Sequence, residues 1–189
     1  EIYRNISVLI QQPLDNNLRH KIRINKVTYG FHPQLSNLTL GEFVDIEAYI
    51  KDGIHKNMHN ILSVLYRPIT KEKGHQYNIE PYEPNDERAD LFKEHLTIGD
   101  VNGASVFFLQ FRQGTFKLFS QIFEGNDGEE VSSMAKKWGW YTIIYSLANE
   151  DLLKIDEVVK KPLYECLTFM SHKQDIEEHH GKLHSEEGA

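Results

Sequence analysis

The sequence predicts an α+β fold that is mainly α-helical, with five to six helices and one or two small β-hairpins near the N-terminal half. Most apolar residues recur every three or four positions, the helical period, whereas residues 22–31 alternate apolar with polar, the period of a strand. A short phrase also occurs twice, as Leu38-Thr39-Leu40-Gly41-Glu42 and as Leu96-Thr97-Ile98-Gly99-Asp100. Each places a threonine three positions ahead of an acidic residue, the spacing at which hydroxyl and carboxylate cap the free N–H groups of a helix start.

Taken in order, residues 1–18 read as an N-terminal arm, because the apolar stretch Ile2 to Ile10 gives way to Gln11-Gln12-Pro13 and the polar Asp15-Asn16-Asn17. Ile22 and Ile24, then Val27, Tyr29 and Phe31, flank Asn25-Lys26 as a two-residue hairpin. From Thr39 a helix carries Leu40, Phe43, Ile46 and Ile50 on one face and stops at Gly53. A second, about Lys56 to Tyr66, ends at Arg67-Pro68, and the two are expected to pack as an antiparallel pair. Ile69 to Ile79, polar around Gly74, reads as a second hairpin, and residues 86–95 as a short acidic helix.

Behind the second Thr-x-Gly-acid phrase lies the densest aromatic run. Val101, Ala104, Phe107, Phe108, Phe111, Leu118, Phe119, Ile122 and Phe123 fall on one side of a helix, and Val106, Leu109 and Phe116 fall outside that stripe. A helix apolar beyond one face is either central or gripped by another molecule. Gly125-Asn126-Asp127-Gly128 is a loop. Met134, Trp138, Tyr141, Ile144, Tyr145 and Ala148 then repeat at helical spacing, interrupted by Gly139. A brief helical piece from Asp151 to Val158 precedes Pro162, which is placed to open a last helix with Leu163, Cys166, Leu167 and Met170 on one face. Residues 19–176 are expected as a single globular domain and residues 177–189 as a polar flexible tail.

A net charge of -7 argues against a protein built to grip nucleic acid, since phosphate binding needs clustered Lys and Arg. The most basic stretch, Arg19 to Lys26, alternates charge with isoleucine and reads as the wet face of a strand. One cysteine cannot form an internal disulfide and fits a reducing compartment. No apolar run approaches the roughly 20 residues of a membrane span.

Candidate chemistry is sparse. His55 and His59 stand at i, i+4, where two imidazoles on one helical turn can share a metal, but Lys56 fills the place of the general-base glutamate of His-Glu-x-x-His. They read better as exposed histidines. The tail cluster His172, Glu177, His179, His180 and His184 reads as solvated polar sequence. The only thiol, Cys166, lies on an apolar helix face where cysteines are inert. Serine-elbow, dinucleotide and phosphate-loop motifs do not occur. Glu80, Glu83, Asp86 and Glu87 crowd a Pro-bounded loop, read as a solvated acidic stretch or a docking surface for a basic partner. No enzyme activity, cofactor or metal is predicted. Phe107, Phe108, Phe116, Trp138 and Trp140 are the candidate core or interface anchors, because large aromatics at helical spacing serve that purpose more often than ligand stacking.

Several phrases stand in a fixed order: Tyr29-Gly30-Phe31-His32-Pro33, Leu38 to Asp45, Val64-Leu65-Tyr66-Arg67-Pro68-Ile69, Tyr77-Asn78-Ile79-Glu80-Pro81-Tyr82, Lys137-Trp138-Gly139-Trp140-Tyr141, Lys154 to Val158 and Glu165-Cys166-Leu167. This series, over about residues 27 to 170, resembles proteins encoded among the structural and tail genes of tailed bacteriophages, some described as tail assembly chaperones or baseplate-associated proteins. The resemblance implies a non-enzymatic protein of virion assembly or of the particle. Its partners would be other phage structural proteins in a multimeric assembly, located in the virion or in the host cytoplasm during assembly. A phage-encoded protein directed at a host partner is the alternative, and a His-metal enzyme a more remote one.

Overall fold

Asn25 and Lys26 form the tight turn that their position between two alternating runs predicts, with Asn25 at φ 54°, a left-handed conformation that asparagine tolerates. The hairpin so made is β1 (Lys21–Ile24) and β2 (Val27–Phe31). These coordinates are a computed structural model, which describes residues 18–123 and 138–187. The predicted arm up to Asn17, the loop at residues 125–128 and the onset of a helix at Met134 lie outside the described residues.

After a 3-10 turn at Leu35–Asn37 come α1 (Leu40–Gly53), α2 (Met58–Leu65), β3 (Tyr66–Lys73) and β4 (Gln76–Ile79). Next are α3 (Asp86–His95), α4 (Ile98–Leu118) and the short α5 (Ser120–Phe123). The described chain closes with α6 (Trp140–Leu147), a 3-10 turn at Leu152–Lys154, α7 (Ile155–Val159) and α8 (Leu163–Glu187). The fold is therefore α+β and mainly helical. None of the described helices is long and apolar enough to cross a membrane.

The two predicted hairpins join into one four-stranded antiparallel sheet, in the order β1-β2-β3-β4. The second helix ends just before Arg67-Pro68, as expected, but α2 runs directly into β3, which includes both residues, and Pro68 lies opposite Tyr29 of β2. A proline is tolerated there because the Tyr29–Pro68 pair is one whose backbone groups point away from each other. The His32 backbone N–H donates to the Leu65 carbonyl at 2.8 Å, which fixes that alternation. Pro68 thus faces the β4 side, where β4 has already ended, and is asked only for its carbonyl, which accepts from Glu80 N–H at 3.0 Å.

The described residues fall into two compact units: residues 18–35 with 45–113, and residues 36–44 with 114–123 and 138–187. In the first unit one sheet face packs aromatic rings edge to face, Tyr29 on Phe92 at 5.1 Å and Phe31 on Tyr66 at 5.2 Å. The expected antiparallel pairing of α1 with α2 gives way to packing of α2 against α3. Its cause is Arg88, buried on α3, whose Nε donates to the Ser63 carbonyl of α2 at 2.9 Å. Asn85 caps α3 by accepting from Arg88 N–H at 2.7 Å. Arg112 of α4 forks onto Glu47 of α1, with its Nη2 at 2.8 Å from Oε2.

On the other sheet face Tyr77 lies across the strands, its hydroxyl 2.7 Å from the Phe31 carbonyl and 3.0 Å from that of His20. Gly30 makes room for the ring: a Cβ there would stand 2.4 Å from Tyr77 Cε2.

In the second unit Phe43, Phe116, Phe123 and Trp140 form one ring cluster, with Phe116–Phe123 centroids 4.6 Å apart and Phe43–Trp140 at 5.3 Å. Leu38, Leu40, Leu163 and Leu167 are fully buried beside Ile144 and Ala148 in its core. Residues 161–163 run antiparallel to 38–40, with Leu40 N–H donating to Lys161 at 2.9 Å and Leu163 N–H to Leu38 at 2.7 Å. Pro162 opens α8, as predicted. That helix continues to Glu187, through the stretch expected as a flexible tail, where Glu, Lys and Leu are good helix formers and Gly181 is the poorest.

Gly30→Ala is expected to lower stability by about 1–3 kcal/mol through overpacking against Tyr77. Gly114→Ala, in a helix with open space around the added methyl, is expected to raise it by roughly 0.5–1 kcal/mol. Thermal unfolding of the two variants beside the parent checks the opposite signs.

Candidate functional site

The histidine pair loses its premise in the structure. α1 ends at Gly53, whose φ of 126° only glycine adopts readily, and Ile54 to Lys56 form a turn. His55 therefore lies in the connection and His59 in the first turn of α2, so no single helical face presents both. Asn57 holds the connection, its Nδ2 donating to Asp52 Oδ2 at 2.9 Å and to the Gly53 carbonyl at 3.3 Å. Burial lowers the His59 pKa, with nearby Lys93 acting in the same direction. Among the described residues no group of three or more His, Cys, Asp or Glu is placed to hold a metal ion.

Cys166 occupies the buried face of α8 with Leu163 and Leu167. Burial, assisted by Glu165, pushes its thiol up to about 11, so the thiolate that nucleophilic chemistry requires is scarce at neutral pH. Glu80, Glu83, Asp86 and Glu87 are all exposed, the last two in the first turn of α3. They face water rather than each other across a cleft.

The five aromatic anchors separate into three environments. Phe108 is fully buried. Phe116 and Trp140 meet in the second unit's ring cluster, with centroids 6.5 Å apart. Phe107 sets its ring edge-on to Phe31 at 5.8 Å in the first unit and remains partly exposed. Trp138 stands at the surface and begins a row that continues through Tyr141 at 5.8 Å to Tyr145 at a further 6.3 Å. These three side chains are 47%, 45% and 41% exposed, unusual for large rings in contact with one another.

The sequence placed Trp138, Tyr141, Ile144, Tyr145 and Ala148 in one apolar stripe. In α6 that stripe is two: Trp140, Ile144 and Ala148 turn inward, and Tyr141 and Tyr145, about 100° around the helix, turn outward. Neither Tyr141 nor Tyr145 stands among the five candidate anchors, although their four-residue spacing behind Trp138 is the signal that marks them. Beside α6, Lys173 of α8 donates to Ser146 Oγ at 3.1 Å. Phe169 and Ile176, on the same face of α8 as Lys173, are also exposed. Leu152 and Leu153 project from the 3-10 turn, which Asp151 caps by accepting from Leu153 N–H at 3.0 Å.

No family model matches this chain, and no curated protein or solved structure matches it.

Between about pH 9 and 11 the unfolded chain loses the Cys166 proton while the native chain keeps it, so stability falls as pH rises through that window. Urea denaturation at pH 7, 9 and 11 is expected to show this fall, and Cys166→Ala to make it shallower. At pH 8 the native thiol is expected to react with an aromatic disulfide reagent far more slowly than the unfolded one.

Proposed function

We propose that this chain works by binding other proteins, without catalysis, and that the exposed row Trp138, Tyr141 and Tyr145 is its contact face. The observation that carries the reading is that row: three large rings in successive contact, left open to water, with Trp138 just before α6 and the two tyrosines on it, beside the stripe that buries Ile144 and Ala148. Tyrosine and tryptophan give the most binding energy per residue at interfaces because they bury much area with few rotatable bonds. A rigid row loses little conformational freedom on binding.

The tailed-phage resemblance supplies the proposed setting, a structural or assembly role among other proteins of a phage particle. The anchors Phe116 and Trp140 then serve to hold the unit together, and the binding role moves to Trp138 and the two tyrosines.

Tyr141→Asp, at an exposed position, is expected to leave the fold intact by circular dichroism and weaken partner binding by about tenfold or more. Co-purification from phage-infected cells reads this out. A folded Tyr141→Asp, Tyr145→Asp double variant that binds its partners normally would overturn the contact face. Mass spectrometry of purified particles is expected to find the chain at a fixed copy number. Its absence would move the proposal to an assembly chaperone or to a host-directed binder.

A further inference from the structure

The edge of the sheet in the first unit carries a second, independent inference. Among the described residues β1 has no strand on its outer side. Its pairing is fixed at both ends, by the two-residue turn after Ile24 and by Phe31 N–H donating to the His20 carbonyl at 2.8 Å. In an antiparallel ladder such residues alternate, so His20, Ile22 and Ile24 turn their backbone groups to β2, whereas Lys21 and Arg23 turn theirs outward. A cleft of about 360 Å³ lies along that outward edge, lined by β1 together with His95, Thr97 and Asp100 at the junction of α3 and α4.

The cleft is cationic in a chain of net charge -7. Arg19, Lys21 and Arg23 line it, and its one carboxylate is already occupied. Asp100 is buried, accepting from Thr97 N–H at 3.0 Å, Thr97 Oγ1 at 2.6 Å and Arg19 Nη1 at 2.8 Å. Arg19 is held at both ends, since its carbonyl also accepts from the Tyr66 hydroxyl at 2.6 Å, yet more than half of its side chain remains open to water. Lys21 reaches Glu72 at 2.5 Å. Arg23 is exposed and forms no ion pair with any described residue.

We propose that β1 accepts an extended acidic segment of a partner protein as a fifth strand. Backbone groups of Lys21 and Arg23 would supply up to four hydrogen bonds, and the period of two supplies selectivity. Side chains of the added strand on the Lys21 and Arg23 side meet cations, and those on the other side meet the edge of Ile22 and Ile24. The matching pattern is Asp or Glu alternating with an apolar residue. A second copy of β1 is disfavoured by the same charges, which would stand opposite one another. The inference stands on the first unit alone and does not rest on the aromatic row.

Full-length protein is titrated with the fluorescein-labelled peptide acetyl-EVDVEV-amide. Saturable binding is expected, weakened by salt, and lowered about tenfold by Arg23→Glu but not by Lys73→Glu, the same charge change elsewhere on the exposed sheet surface. Amide exchange at Lys21 and Arg23 is expected to slow at least about fivefold on binding, with Ile22 and Ile24, already bonded to β2, unchanged. A peptide N-methylated at alternate residues is expected to lose the interaction. No saturable binding by the folded protein would overturn the proposal. So would binding without protection of those two amides, equal binding of the N-methylated peptide, or equal loss in Lys73→Glu, each of which marks a diffuse charge attraction. Tyr141→Asp is expected to leave this titration unchanged, so failure here and failure of the aromatic contact face are separate results.

Discussion

The reciprocal threonine-acid cap, used twice, is the constraint from which the rest of this structure is set. Thr39 N–H donates to Glu42 at 2.6 Å while Glu42 N–H donates to Thr39 Oγ1 at 3.2 Å; Thr97 and Asp100 repeat the exchange at 3.0 and 3.3 Å. Both carboxylates are buried, which would be costly for a charge without partners. Here burial is tolerable because the helix start itself provides donors, and the N-terminal end of a helix favours negative charge. The caps fix where α1 and α4 begin, and those two starts fix the direction and register of everything those helices carry.

Each cap has a second tie, made by a different means. In the second unit the chain around Thr39 exchanges backbone hydrogen bonds with residues 161–163, and Gly41 permits the approach, since a Cβ there would lie 3.1 Å from the Val159 carbonyl. In the first unit the tie is ionic: Arg19 binds Asp100, and its guanidinium passes over Gly99. Gly41 therefore answers to close packing against a distant segment rather than to the helix, where glycine costs about 1 kcal/mol relative to alanine, whereas a Cβ at Gly99 would make only ordinary contacts, 3.7 Å from Thr97 Oγ1 and 3.9 Å from Arg19 Nη2. Identical local chemistry thus receives two tertiary solutions, which is why the phrases repeat although the helices behind them do not.

What was legible in the sequence is what local chemistry decides. The two caps, the turn at Asn25-Lys26, the stop at Gly53 and the opening of α8 at Pro162 each depend on a few adjacent residues. The joining of the hairpins was not legible, because Arg67-Pro68 locally reads as a break. Only the register of β2 and the early end of β4 show that Pro68 is never asked for a hydrogen it lacks. The pairing of α2 with α3 was hidden for the same kind of reason. It depends on Arg88, a charged residue within a stretch that reads only as a short acidic helix, being buried with its N–H groups spent on the Ser63 and Glu83 carbonyls.

The Phe-rich helix shows why faces are harder to read than elements. Counting apolar residues around α4 gave a stripe too wide for one face, and so a helix that must be central or gripped. The structure narrows the buried stripe by including small polar side chains in it: Asn102, Ser105 and Thr115 are buried with Ala104 and Phe108. Ser105 satisfies its hydroxyl on the Val101 carbonyl at 2.5 Å, and Thr115 lies 3.3 Å from the Tyr164 hydroxyl. A buried hydroxyl that bonds within its own helix removes little stability, so polarity at such positions does not mark the wet face. Phe107 and Leu118 take the exposed places that a hydropathy pattern would give to those polar residues. Exposure of a large apolar side chain is then informative only where several lie together and their neighbours turn inward. The row of Trp138, Tyr141 and Tyr145 at the start of α6 and along it meets that condition, and Phe107, anchored edge-on to Phe31, does not.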